Sequence, residues 1–185
     1  MADVNSTKVV TGKVRFCYVN VFEASAMNEG DTPKYSVCII IPKSDTKTLT
    51  AVRNAIEAAK AIGKAKVADK NGKIPSTLKT PLRDGDEERS DDPAFENSFF
   101  INANSTRRPG VVDINLNPIM DQSELYSGCY GRVSINFYAY SVPQSKGIAA
   151  GLQNVQKLCD GEPLAGGSTA EEDFGGSNMI EDDLI

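Results

Sequence analysis

The chain has 185 residues, 40% apolar and 24% charged, an ordinary balance for a globular domain long enough to build its own core. It has no histidine, which excludes Ser-His-Asp and Cys-His catalysis and removes the commonest general base. Its net charge of −5 is uneven: residues 161–185 hold seven acids and no base, leaving 20 basic and 18 acidic groups, net +2, in residues 1–160. The low pI thus belongs to the tail, and the body is free to carry a cationic face.

"TKVVTGKVRFCYVNVFEA" (7–24) alternates, with Val14, Phe16 and Tyr18 on one side and Lys13, Arg15 and Cys17 on the other, which predicts one long strand. "NEGDTP" (28–33) is a turn, and "KYSVCIIIP" (34–42) is a nearly all-apolar central strand ended by Pro42. Over 44–66 the period changes: Leu49, Val52, Ile56 and Ala59 follow helical spacing behind Ser44 or Asp45 as the cap. Lys47, Arg53, Lys60, Lys64 and Lys66 fall on the exposed side of that helix. Residues 69–93 are loop-rich, with turn signals at Asn71-Gly72 and Asp84-Gly85. "FENSFFINANS" (95–105) and "GVVDINLNPI" (110–119) read as strands around "TRRPG", and "YSGCYGRVSINFYAYSV" (126–142) is the clearest strand in the chain. Over 148–158 helix and strand readings compete.

From Asp160 onward Gly, Ser, Asp and Glu dominate and cannot bury enough apolar surface to order. Five or six strands and one inserted helix predict a mainly β fold. It is an OB-fold-like antiparallel five-stranded barrel over 1–160, the oligonucleotide-binding architecture, with a disordered acidic C-terminal tail over 161–185. The N-terminus has no basic start followed by an apolar core, so no secretion signal is expected, and no apolar run approaches the roughly 18 residues that cross a bilayer. The four cysteines are scattered without a CxxC pair, which argues against zinc; Cys17, Cys38 and Cys129 read as small buried thiols of a reducing cytosol.

Along 129–140, Cys129, Gly131, Val133, Ile135, Phe137 and Ala139 form an inward set. Tyr130, Arg132, Ser134, Asn136, Tyr138 and Tyr140 form the other. A face of rings with a cation among them suits stacking of nucleic-acid bases, each stack worth about 1–3 kcal/mol whatever the base. The competing reading is that these tyrosines cover a second core. Lys13 and Arg15 share this periodicity, and Arg107 and Arg108 beside Pro109 place two guanidiniums on a rigid turn suited to a phosphate backbone, or simply to solvent. The cluster "RDGDEERSDD" (83–92) begins like a calcium loop but lacks the following Asp/Asn-Gly and the closing Glu, so a solvated loop is expected and no metal or other cofactor. No GxGxxG or Walker-type loop is present.

"KTPLRDGDEE", "FFINANSTRRPGVVD", "YSGCYGRVSINFYAY" and "KGIAAGLQNVQKLCDGEPLAGG" together resemble the phage-encoded single-stranded DNA-binding proteins with an oligonucleotide-binding barrel, over most of residues 8–175. The resemblance implies a non-enzymatic protein that coats single-stranded DNA in phage replication and recombination, in the cytoplasm of a bacterial host. It carries a binding-groove role to Arg107, Arg108, Tyr130, Arg132 and Tyr138, and it implies a mobile acidic C-terminus. Tails of this kind often end in an aromatic residue, whereas this one ends Leu184-Ile185.

In that setting Glu171, Glu172, Asp173, Glu181, Asp182 and Asp183, with Phe174, are expected to act as an internal mimic of the phosphate chain, the competing reading being a plain solubilising tail. Once displaced by DNA, the acidic-apolar end docks on replication proteins of phage or host. The rival functions are a metal-dependent nuclease built on the 84–92 carboxylates and a structural phage protein. The sequence sets no oligomeric state, and a homodimer is compatible with it.

Overall fold

In a computed structural model of the chain, which describes residues 6–26 and 28–164, the long first strand is two: β1 (Lys8–Val10) and β2 (Val14–Ser25). Both pair with the same edge of a later strand, β7 (Tyr130–Val142), β1 at Ser134–Asn136 and β2 at Tyr130–Gly131. Thr11 fills the gap between them. It is fully buried, its N–H donates to Val133 O (3.0 Å), and its hydroxyl oxygen accepts from Val133 N (3.1 Å). The ladder is thus kept satisfied while the chain steps sideways.

The remaining elements are β3 (Lys34–Pro42), α1 (Thr46–Ile62), α2 (Lys64–Val67), β4 (Arg83–Asp84), α3 (Gly85–Glu88), a 3-10 turn (Pro93–Phe95), β5 (Ser98–Ser105), β6 (Gly110–Val112), a second 3-10 turn (Gln122–Glu124), β7, and β8 (Ser145–Cys159). Strands β2, β3, β5, β8 and β7 pair in that order and close back on β2, which makes a five-stranded ring. The β5–β8 contact is parallel and the other ring contacts are antiparallel. Strand β1 extends the sheet beyond β7, β6 adds to β8 in parallel, and β4 adds to β5. This is the order of an OB-type barrel, as the strand count and inserted helix predict.

Inside the ring lie Phe16, Val21, Val37, Ile39, Ile41, Ile101, Ala103, Val133, Ile135, Phe137, Ile148 and Leu152. Helix α1 packs on this core through Leu49, Val52, Ala55, Ile56 and Ala59. Asp45 caps it by accepting from Thr48 N (3.2 Å), and Gly63 ends it where a Cβ would overlap the Cβ of Ala139 on β7. Helix and strand can approach this closely only because that residue is glycine.

Two bulges shift the predicted faces. Cys17 pairs with Cys38 and Asn20 with Ser36, so β2 takes three steps where β3 takes two. The inward phase passes from Val14 and Phe16 to Val21, and Tyr18, predicted inward with them, is exposed instead. On β8, Ser134 pairs with Asn154 but Ile135 with Leu152, and the extra residue moves the inward phase from Leu152 to Val155. The predicted strand over 110–119 stops at Val112, because Asp113 turns the chain by accepting from Asn115 N and Asn117 N.

Candidate nucleic-acid interface

The outer face of β2, β3 and β5 is built from cross-strand rows. Arg15, Ile40 and Phe100 form one, Cys17, Cys38 and Asn102 the next, and Asn20, Ser36 and Asn104 the third. In OB barrels this side of the sheet and its flanking loops bind oligonucleotides and oligosaccharides.

At the first row β7 brings in Tyr130. Its ring lies under two cations, Lys13 Nζ 5.0 Å and Arg15 Cζ 5.3 Å from the ring centre. An open recess of about 270 Å³ adjoins them, lined by Lys13, Arg15, Ile40, Pro42, Ser98 and Tyr130. The Arg15 guanidinium is fixed from behind, with Nε donating to Gly128 O (3.0 Å) and Nη2 to Glu162 O (2.7 Å). A pre-set cation against a partly buried ring offers a base a flat contact and a phosphate a charge at one place.

Glu162 is where the chain leaves the barrel. The segment before the tail is pinned there: Gly161 N donates to the Tyr126 hydroxyl (3.1 Å), that hydroxyl donates to Gly161 O (2.8 Å), and Leu164 N donates to Ser127 O (2.9 Å). Lys157 bonds Asp160 at 2.6 Å and holds its carboxyl below the usual range. Sequence reasoning missed this attachment, because the 160–164 stretch is held by backbone groups and by a single apolar residue, Leu164, packed against the Phe95–Phe100 cluster.

The second row is closed. Phe95 and Phe100 meet edge to face at 5.2 Å over Cys17, Cys38 and Ile40, and Arg89 Cζ lies 5.7 Å from both ring centres. Burial, with the neighbouring Cys17 adding to it, pushes the Cys38 thiol up to about 12, so it stays protonated and unreactive. The acidic loop forms this cover. Lys43 Nζ bonds Asp84 (2.9 Å) and Asp86 (2.8 Å), Arg83 pairs with Glu88 (2.9 Å), and Asp92 caps the 3-10 turn through Ala94 N (3.0 Å). The hydrogen bond from Lys43, then that from Asn97 N, lowers the Asp86 carboxyl. These acids brace a loop. Among the described residues no group of three or more His, Cys, Asp or Glu is arranged to hold a metal ion.

Of the residues singled out in the sequence, the fold brings together Lys13, Arg15 and Tyr130. Arg107 and Arg108 are exposed in the turn after β5, where Ser105 Oγ accepts from Arg107 N (3.0 Å). They stand at the far end of β5 from Ser98, roughly 23 Å away at strand spacing. Arg132 leans the other way. Its Nε donates to Thr11 O (2.9 Å), and it lines a separate groove of about 290 Å³ with Lys8, Val10, Val112 and Leu116. Tyr138 lies eight residues beyond Tyr130, roughly 26 Å along β7. It is 42% exposed and would lie 3.4 Å from a Cβ placed on Gly151. Tyr140 bonds Ser145 (3.3 Å). The outward set on β7 is therefore spread along the barrel and is not a single platform. Glu171, Glu172, Asp173, Phe174, Glu181, Asp182 and Asp183 lie outside the described residues.

The family model described as "Enterobacter phage Enc34, ssDNA-binding protein" matches residues 7–185. The chain belongs to this family. Protein p50 of Acyrthosiphon pisum secondary endosymbiont phage 1 is 31% identical over 190 residues, covering 96% of this chain and 98% of the relative. Among solved structures, the single-stranded DNA-binding protein of bacteriophage Enc34 in complex with ssDNA superposes with a TM-score of 0.76 at 26% identity, over 86% of this chain and 90% of that one. The single-stranded DNA-binding protein gp2.5 of bacteriophage T7 has a TM-score of 0.63 at 13% identity, covering 89% of this chain and 98% of the other, and shares the fold. Among the described residues no helix is long and apolar enough to cross a membrane.

Proposed function

We propose that this chain is a phage single-stranded DNA-binding protein that coats unpaired strands without regard to sequence during replication and recombination, and that it is not an enzyme. The observation that carries the reading is the Lys13–Arg15–Tyr130 cluster beside an open recess on the outer face of the barrel, in a chain of this family. A ring accepts any base, and two cations beside it neutralise phosphate, which gives affinity without a donor–acceptor code for base identity. Arg107 and Arg108 extend the cationic path at the other end of β5. The 84–92 cluster does not favour the nuclease reading, since Lys43, Arg83 and backbone N–H groups occupy Asp84, Asp86, Glu88 and Asp92.

The acidic tail competes for the same cluster. Its root is held on Arg15 through Glu162 O, so the carboxylates of 171–173 and 181–183 are tethered beside the site they mimic. Tethering sets their effective concentration, which short flexible linkers raise to about the millimolar range. A long single strand offers many phosphates together and displaces the tail, and the freed acidic-apolar end then recruits replication proteins. The reading is tested by titrating oligothymidylate into the full chain and into a chain ending at Leu164 over a range of salt. Binding that weakens steeply with salt, and that tightens on truncation, supports it. Binding to neither single- nor double-stranded oligonucleotides at low salt leaves the structural-protein reading in its place.

A further inference from the structure

Tyr18 joins a left-handed backbone to a large, exposed side chain in the middle of a strand. Its φ is +48°, in the left-handed region that bulky side chains avoid, at the β2 bulge. The residue is 56% exposed, while Phe16 and Val21 on either side are fully buried. The bulge alone explains a residue with positive φ here, but glycine or asparagine would meet that need with less strain. Nothing in the packing asks for a large ring. Strain of this kind concentrates where a side chain must be presented to something outside the fold.

We propose that Tyr18 is a second base-stacking platform, which takes an unpaired nucleobase of the strand held at Tyr130. This rests on the single-stranded DNA reading above. Tyr18 lies three residues along β2 from Arg15, roughly 10 Å at strand spacing and on the way to the β2–β3 hairpin. The cross-strand row Asn20, Ser36 and Asn104 flanks it with amide and hydroxyl groups. Asn20 Nδ2 also donates to Tyr18 O (3.3 Å) and so braces the bulge. Beyond the row opens a recess of about 460 Å³ whose lining includes Ser25, Asn28, Thr32, Lys34 and Asp31, the carboxylate of which accepts from Asn28 Nδ2 (3.1 Å). A strand leaving Tyr130 along β2, past the closed second row, therefore meets a ring, then hydrogen-bonding groups, then Lys34 beside Asp31. That sequence of contacts fits a nucleotide and defines the direction of the path across the barrel.

The test uses the full-length protein carrying Tyr18→Gly or Tyr18→Phe, with oligothymidylate binding followed by anisotropy and folding followed by thermal unfolding. Glycine accepts φ +48° freely, so Tyr18→Gly should unfold at the same or a higher temperature than the wild type. It should bind about 5- to 150-fold more weakly, the loss of one stack, with an unchanged salt slope. Tyr18→Phe should bind within about twofold of the wild type, since the ring face is kept. Wild-type affinity in Tyr18→Gly, beside a wild type that binds, overturns the Tyr18 platform and leaves the DNA reading standing. A lower unfolding temperature in Tyr18→Gly overturns the argument from strain. A wild type that binds no oligonucleotide removes the DNA reading and this inference with it.

Discussion

Lys13 and Tyr130 touch each other, yet removing each should leave a different signature. Lys13 is exposed, and its ammonium sits 5.0 Å from the Tyr130 ring centre, free to meet a phosphate. For a single strand each neutralised phosphate contributes about 0.7 to the slope of log K against log salt. Lys13→Ala should therefore flatten that slope by about 0.7, so that the affinity ratio of wild type to variant shrinks about 2.6-fold between roughly 50 and 200 mM salt. Tyr130→Ala removes a stack worth about 1–3 kcal/mol, which lowers affinity about 5- to 150-fold at every salt concentration with the slope unchanged. It also releases Lys13 and Arg15 from the ring, at a cost in stability of about 0.5–1 kcal/mol for each exposed cation. The assay is fluorescence anisotropy of a labelled oligothymidylate at five salt concentrations, with unfolding curves as the folding control. A Tyr130→Ala variant that changes the slope but not the affinity extrapolated to high salt, or a Lys13→Ala variant with an unaltered slope, would refute the division of labour between ring and cation.

Ending the chain at Leu164 should tighten oligonucleotide binding several-fold at low salt, and adding the 165–185 segment back as a free peptide at micromolar concentration should not reverse this, because only tethering makes the competition effective; equal binding by both chains counts against the mimic. Phe95→Ala opens the cover over Cys17, Cys38, Ile40 and Phe100 and should cost about 3–5 kcal/mol in chemical unfolding, and a loss below about 1 kcal/mol would show that the loop is not a structural cover. Asp86 and Asp160 titrate below their unfolded values, so their contribution is present above that range and is lost as pH falls through the folded values. Thermal stability should therefore decline below about pH 4, less steeply in Asp86→Asn, and identical acid profiles in the two proteins would contradict the Lys43 assignment. At pH 8 an alkylating reagent should modify exposed Cys159 and spare Cys17, Cys38 and Cys129 until the protein unfolds, as intact-mass spectra would show.

Much of the barrel is written in its alternation. The strands at 34–42 and 129–140 have unbroken period-2 or all-apolar patterns, and Ser44-Asp45 with the Leu49–Val52–Ile56–Ala59 stripe announces α1. Two of the misread faces have a common cause in bulges. On β8 the inward residues Ile148, Ala150, Leu152 and Val155 are spaced two, two and three apart, and the one extra strand residue between Leu152 and Val155 breaks the alternation that would have announced a strand. On β2 the same device turned Tyr18 from its predicted inward place to solvent. A bulge is fixed by pairing with a neighbour that is distant in sequence, so local periodicity cannot carry it.

The candidate site was half legible for a similar reason. Lys13 and Arg15 signalled themselves by alternation and Tyr130 by the ring-rich face, but that face follows a 13-residue strand round the barrel, which parts Tyr138 from Tyr130, while the hydrogen bond to Thr11 O turns Arg132 into a separate groove. The acids of 84–92 looked like a free cluster because Lys43, their partner, lies about forty residues earlier and reaches them only through the pairing of β3, β5 and β4.

The central claim is that unpaired DNA lies on the barrel face that holds Tyr130, and ultraviolet cross-linking of oligothymidylate to the full-length protein, with the modified residues mapped by mass spectrometry, tests it most directly. The account predicts adducts in peptides containing Lys13–Tyr18 and Tyr130. Adducts confined to Tyr138, Tyr140 or the groove beside Arg132 would contradict it.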